Sequence, residues 1–106
     1  MLLQIDRQTT ARGTTLRVAG EIDLASVPEL REALDGLGDA PGELALDLTQ
    51  VTFMDSTGLQ LLLRLGRERA DPERPWRLRA SEPVERVCVV SGVAARLPLQ
   101  PGPHAG

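Results

Sequence analysis

The sequence predicts an α/β domain: a mixed sheet of four or five strands with its helices mainly on one face. Three observations lead there. Short segments of alternating apolar residues are separated by longer segments with apolar residues at helical spacing. The first two alternating segments lie one turn apart, as an antiparallel hairpin requires. From there strands and helices alternate, which calls for parallel strands joined by right-handed crossovers.

The elements follow in order. Residues 2–7 and 14–19 are expected as the hairpin, with Gly13 in its turn and Leu16 and Val18 alternating with Thr15 and Arg17. Ser26 is expected to cap the first helix in a capping box with Glu29, and Pro28 is compatible with a first turn. Val27, Leu30, Leu34 and Leu37 follow at helical spacing, and Pro41-Gly42 closes the segment. Residues 43–48 alternate strictly and place Leu44, Leu46 and Leu48 on one strand face. A second helix is expected over residues 57–70 and ends before Asp71-Pro72. Residues 76–79 form a short strand. Ser81 then caps a third helix carrying Val84, Val87 and Cys88, which Gly92 stops. A last short strand is expected at 95–99. The domain is read as residues 1–100, with 101–106 a mobile tail.

Bulk properties narrow the function. A chain of 106 residues supports one domain and a modest core, too small for a deep enclosed active site. The net charge of −3 argues against general nucleic-acid binding. The arginines at 64, 67, 69, 74, 77 and 79 read as a solvated helix face and a polar strand edge. Cys88 is the only cysteine and His104 the only histidine, so neither an internal disulfide nor a zinc set is expected. Cys88 reads as a small buried hydrophobe and Trp76 as a packing residue at a strand edge. No apolar run approaches a membrane span and no signal-peptide core is seen, so a cytoplasmic protein is expected. With no nucleophile–base pair and no phosphate-binding P-loop, an enzyme is not expected; nor is a metal or other cofactor.

The chemistry concentrates at Asp55-Ser56-Thr57-Gly58, a tight strand-to-helix turn. Asp55, Ser56 or Thr57 could each cap the helix, and Thr57 with Gln60 also fits a capping box. Three consecutive capping-type side chains exceed what one helix needs. A hydroxyl left over at a helix N-terminus suits a phosphate, because free amides and the helix dipole favour an anion there. Gly58 supplies close approach at the helix start. On the same helix Leu59, Leu62, Leu63 and Gly66 share one face, expected toward the sheet. Leu61 and Leu65 turn away and are expected to be more exposed than Leu62 and Leu63. They are either partly covered by a neighbouring helix or an apolar pair for binding. Asp47 either caps the next turn or lines the site.

Leu46-Asp47-Leu48, followed by Val51-Thr52-Phe53-Met54-Asp55-Ser56-Thr57-Gly58-Leu59, resembles the phosphorylation-site motif of bacterial anti-sigma factor antagonists, the STAS family. Gly20-Glu21-Ile22-Asp23, followed by Pro28 and Leu30, resembles that family's earlier motif at its usual distance. The element order matches the STAS fold from about residue 2 to 100. The sequence departs from the pattern at Gln60, often Gly, and at Arg86-Val87-Cys88, often Arg-Leu-Phe. The resemblance implies a binding switch. Unphosphorylated, the protein sequesters an anti-sigma factor that is itself a serine kinase, and a sigma factor is freed. The kinase phosphorylates Ser56 and a metal-dependent serine phosphatase restores it. Asp23 and Asp55 flank the site and, with Thr57, Gly58, Leu61 and Leu65, form the expected partner surface. The free protein is expected to be monomeric, without direct nucleic-acid or membrane contact. The alternative is an unphosphorylated STAS accessory subunit of a lipid-transport or other signalling complex.

Overall fold

A computed structural model describes residues 3–38, 40 and 42–100. The elements are β1 (Gln4–Thr10), β2 (Gly13–Ile22), α1 (Val27–Asp35), β3 (Glu43–Met54), α2 (Ser56–Glu68), β4 (Trp76–Ala80) and α3 (Glu82–Val90), then a 3-10 turn at Ala94–Arg96. The sheet order is β1-β2-β3-β4. β1 and β2 pair antiparallel, while β2–β3 and β3–β4 pair parallel. The expected tail at 101–106, and residues 2 and 41, lie outside the described residues.

One sheet face carries Leu16, Val18, Leu44, Leu46, Leu48 and Leu78, each at most 1% exposed. This is the face the helices cover, through Leu30 of α1, Leu62 of α2, and Val84 and Cys88 of α3. The opposite face is polar. Register aligns Asp6, Arg17, Asp47 and Arg79 across all four strands in alternating charge. Arg17 Nε lies 3.8 Å from Asp47 Oδ2. Such half-exposed pairs contribute little to stability, so the ladder acts mainly as a soluble face and a register marker.

β3 is far longer than the six residues its alternation suggests. Pairing with the whole length of β2 extends it, and two register shifts add two residues more. Leu16 pairs with Leu46 and Ile22 with Met54, so β3 spends two more residues than β2 between the same rungs. Each extra residue is a bulge that flips the alternation. The buried positions therefore run Leu44, Leu46, Leu48, Val51 and Met54. Asp47 holds the first bulge: its Oδ1 accepts from Thr49 N at 2.9 Å and from Thr49 Oγ1 at 2.6 Å. That settles its ambiguous role in favour of turn-making within the strand.

Three local expectations are corrected. No fifth strand forms at 95–99: the chain makes a 3-10 turn and a single parallel bridge, Leu99 to Leu78. Pro98 lacks the N–H that would extend the ladder. Ser26 and Ser81 sit at the N-cap positions of α1 and α3, but neither makes a side-chain cap bond. The Ser26–Glu29 capping box is absent, because Ser26 bonds backward into its own loop. Arg69 is not on a solvated face. It is buried, with Nη1 3.5 Å from Pro75 O, and burial together with nearby Arg74 lowers its pKa.

Candidate functional site

The site forms where β2 and β3 end side by side. Asp55 N donates to Ile22 O at 3.1 Å, tying the β3–α2 turn to the chain leaving β2. On the β2 side, Asp23 Oδ1 accepts from Ala25 N and Ser26 N, both at 3.0 Å. Ser26 Oγ accepts from Asp23 N at 3.0 Å and donates to Glu21 O at 2.6 Å. Asp23 and Ser26 thus lock each other's loop, a reciprocal Asx-type turn.

On the β3 side, Asp55 is the N-cap of α2. Its backbone is extended and its Oδ1 accepts from Thr57 N at 2.9 Å. Thr57 Oγ1 also donates to Asp55 Oδ1. This corrects the Thr57–Gln60 capping box: Thr57 lies inside the helix, and its hydroxyl braces the cap instead of being one. The Thr57 hydroxyl is the main cause of a lowered Asp55 pKa, aided by backbone N–H groups of Thr57, Gly58 and Leu24, against some desolvation. Asp55 is therefore ionised at neutral pH and committed to the helix end.

Ser56 is the remainder. It is the first residue of α2, exposed, and its hydroxyl has no hydrogen bond to any described residue. Of three cap-type residues, one caps, one braces and one is left free. Gly58 is buried because the helix start presses on the sheet. A Cβ there would sit 2.5 Å from Met54 Cγ and 2.8 Å from Ile22 Cγ2.

The structure brings Asp23, Asp55, Ser56, Thr57 and Gly58 to one end of the molecule. It does not make an exposed ridge of Leu61 and Leu65, which are only 8% and 6% exposed, whereas Leu63 is half-buried. The expected exposure ranking is wrong for Leu63. The covered face of α2 centres on Gly58, Leu62, Leu65 and Arg69, a rotation of about 80° from the expected centre at 100° per residue. Leu61 turns toward Val27 and Pro28 of α1, and Leu65 toward Leu34 and Leu37. The apolar side chains that do stand exposed at this end are Leu24 (75%) and Phe53 (47%). Sequence reasoning missed both. Their signal was an apolar residue inside an Asp-x-Ala-Ser turn and a phenylalanine beside a strand bulge.

The domain so defined is a four-stranded mixed sheet with helices on one face and a serine free at the β3–α2 turn. A family model described as "Mlab, STAS domain" matches residues 5–99. The chain belongs to the STAS domain family. It is 39% identical over 59 residues to the anti-sigma-B factor antagonist of Bacillus subtilis, covering 56% of this chain and 54% of that one. It is 38% identical over 64 residues to the antagonist of the same name from Staphylococcus aureus, covering 59% of each. The match thus spans somewhat over half the length of these curated relatives. A crystal structure of an anti-sigma factor antagonist from Mycobacterium paratuberculosis superposes with a TM-score of 0.82 at 27% identity, covering 93% of this chain and 86% of that one. The anti-sigma factor antagonist SpoIIAA in its unphosphorylated form gives 0.72 at 20% identity, covering 92% and 89%, a likeness of fold. No helix among the described residues is long and apolar enough to cross a membrane.

Proposed function

We propose that this chain is an anti-sigma factor antagonist controlled by phosphorylation of Ser56. Unphosphorylated, it binds an anti-sigma factor serine kinase through the surface around Ser56, Asp23 and Asp55 and so frees a sigma factor. The observation that carries the reading is the free, exposed Ser56 hydroxyl at a helix start whose cap is supplied by Asp55. Support also comes from the names of the relatives. Leu24 and Phe53 add apolar contact area beside it. Thr57 and Gly58 act from beneath the surface by holding the turn, and Leu61 and Leu65 by seating α2.

The switch is electrostatic. In the free protein a phosphate on Ser56 adds about −1.5 to −2 charge units at a helix N-terminus, where the dipole tolerates it. In the complex that charge is desolvated beside Asp55 and near Asp23. A loss of about 2–3 kcal/mol there lowers affinity roughly 30- to 150-fold. A metal-dependent serine phosphatase resets the protein. Titration calorimetry of phosphorylated and unphosphorylated protein against ATP-depleted kinase tests this. Equal affinities would sink the mechanism, and cell-derived protein never carrying phosphate on Ser56 would favour the unphosphorylated accessory-subunit reading. Ser56→Ala should bind persistently and resist phosphorylation.

A further inference from the structure

A groove of about 360 Å³ runs between α1 and α2, starting beside the Ser56 turn. Its floor is apolar, made by Val27, Pro28 and Leu61. Thr57 and Gln60 stand at the end nearest Ser56, and Arg31, Arg64 and Arg67 line the walls. Arg64 is held by Asp35 at 3.6 Å and Glu68 at 3.2 Å. Arg31 and Arg67 have no ion-pair partner among the described residues, and both are exposed. Two uncompensated guanidinium groups thus face one apolar trough in a chain whose net charge is −3. The neighbouring surface has the opposite sign. Residues 18–30 and 50–63 contain Glu21, Asp23, Glu29 and Asp55 but no Lys or Arg. The lining of the groove thus carries three arginines and no carboxylate, with Asp35 and Glu68 paired to Arg64 and Glu32 also on α1, while the ends of β2 and β3 carry Glu21, Asp23 and Asp55.

We infer that the groove docks an acidic segment of the same protein partner that meets Ser56, with an aliphatic side chain seated on Val27, Pro28 and Leu61. The inference rests on the binding function proposed above. The arrangement suits an extended peptide better than a small anion. The uncompensated cations come from two different helices and are exposed, whereas a small anion needs donors converging in a sheltered pocket. The start of α1 offers little to an anion, since Pro28 has no N–H and Glu29 repels it. Carboxylates of a peptide can engage Arg31 and Arg67 separately, each in a forked pair. Being exposed, these pairs act mostly on association rate and weaken as salt rises.

The test uses the full chain with Arg31→Glu and Arg67→Glu combined, and the milder Arg31→Gln with Arg67→Gln in case charge reversal perturbs folding. The probe is a fluorescein-labelled synthetic peptide of glutamate and leucine, compared with its lysine–leucine counterpart and with inorganic phosphate. Anisotropy at low salt should show the acidic peptide bound at least about tenfold more weakly by the reversed variant, which should now favour the lysine peptide. Amide shifts in the wild-type protein should centre on Arg31, Gln60, Leu61 and Arg67. Unchanged binding by both variants, shifts elsewhere, or displacement of the peptide by phosphate at matched charge would each overturn the proposal. Against the anti-sigma kinase, Ser56→Asp is measured beside the charge reversal. Loss of binding only with Ser56→Asp overturns the groove and leaves the switch standing. Loss only with the charge reversal supports the groove and overturns the switch.

Discussion

Ser56 and Ser81 both follow the carboxyl end of a parallel strand at the start of a helix, yet they have opposite fates. Ser56 is exposed and unbonded. Ser81 is 7% exposed, and its Oγ is buried without a partner among the described residues. The difference lies one and two residues away. A cap side chain accepts from the N–H of the second or third helical residue. In α2 the second residue is Thr57, whose N–H reaches Asp55. In α3 that residue is Pro83 and in α1 it is Pro28, neither with an N–H to give. Only the third residue's N–H is then open to a cap; Glu29 N bonds the Ser26 carbonyl instead, Ser26 Oγ turns back to Glu21 and Asp23, and Ser81 Oγ has no partner among the described residues. A serine at a helix start is free for chemistry only when another residue caps the helix and the turn faces water.

Substitutions at four positions probe this contrast. Gly58→Val should cost most, about 2–3 kcal/mol in urea unfolding, because the added side chain collides with Met54 and Ile22. Gly58→Ala should cost less, since Met54 is flexible and alanine favours the helix by about 1 kcal/mol. A neutral Gly58→Val would mean that the start of α2 is loosely packed.

Asp55→Ala should cost about 1 kcal/mol through loss of the cap. The Asp55 pKa is lowered in the folded state, chiefly by the Thr57 hydroxyl. Its contribution is therefore fully present above the unfolded carboxylate value near ~3.9, and it is lost as pH falls through the lower folded value. Asp55→Asn should keep much of the cap and remove that part of the acid sensitivity. Identical acid-unfolding curves for wild type and Asp55→Asn would contradict the assignment.

Ser81→Ala should leave stability unchanged or raise it by up to about 1 kcal/mol, since it removes an unpaired buried hydroxyl. A loss above about 0.5 kcal/mol in thermal unfolding would show that this hydroxyl is bonded in solution. Ser56→Ala should change stability least, within about 0.5 kcal/mol. A larger loss would make Ser56 part of the helix start rather than a group held free of it.

Much of this was legible in the sequence. Leu44, Leu46 and Leu48 alternate without interruption, and every strand and helix through α3 stands within a few residues of its expected place apart from the long end of β3. Asp55-Ser56-Thr57 announced both a cap and a surplus hydroxyl. What was hidden depends on contacts distant in the chain. The two bulges of β3 exist only against β2, so Val51 and Met54 break the alternation while remaining buried. Of the two readings open for Leu61 and Leu65, cover by a neighbouring helix holds, because α2 packs on α1 as well as the sheet; Leu63 was misplaced, since that packing widens and rotates the buried face. Ser26-Val27-Pro28 and Ser81-Glu82-Pro83 do show in the sequence that one of the two N–H groups a cap can use is missing from α1 and from α3.

The length of β3 has a mechanical consequence. Its last rung with β4 is Leu48 to Ala80, and it then runs six residues further, to Met54, with β2 its remaining neighbour in the sheet. At about 3.3 Å per residue, less for the bulges, this overhang is on the order of 15–20 Å. The β3–α2 turn is thereby carried past the turn that follows β4 and lies beside the end of β2. A modifying enzyme must close its own cleft around the hydroxyl it attacks, and a flush rim of sheet and helices would obstruct that approach. In the switch proposed above, the long end of β3 would let Ser56 enter such a cleft without any part of the domain unfolding.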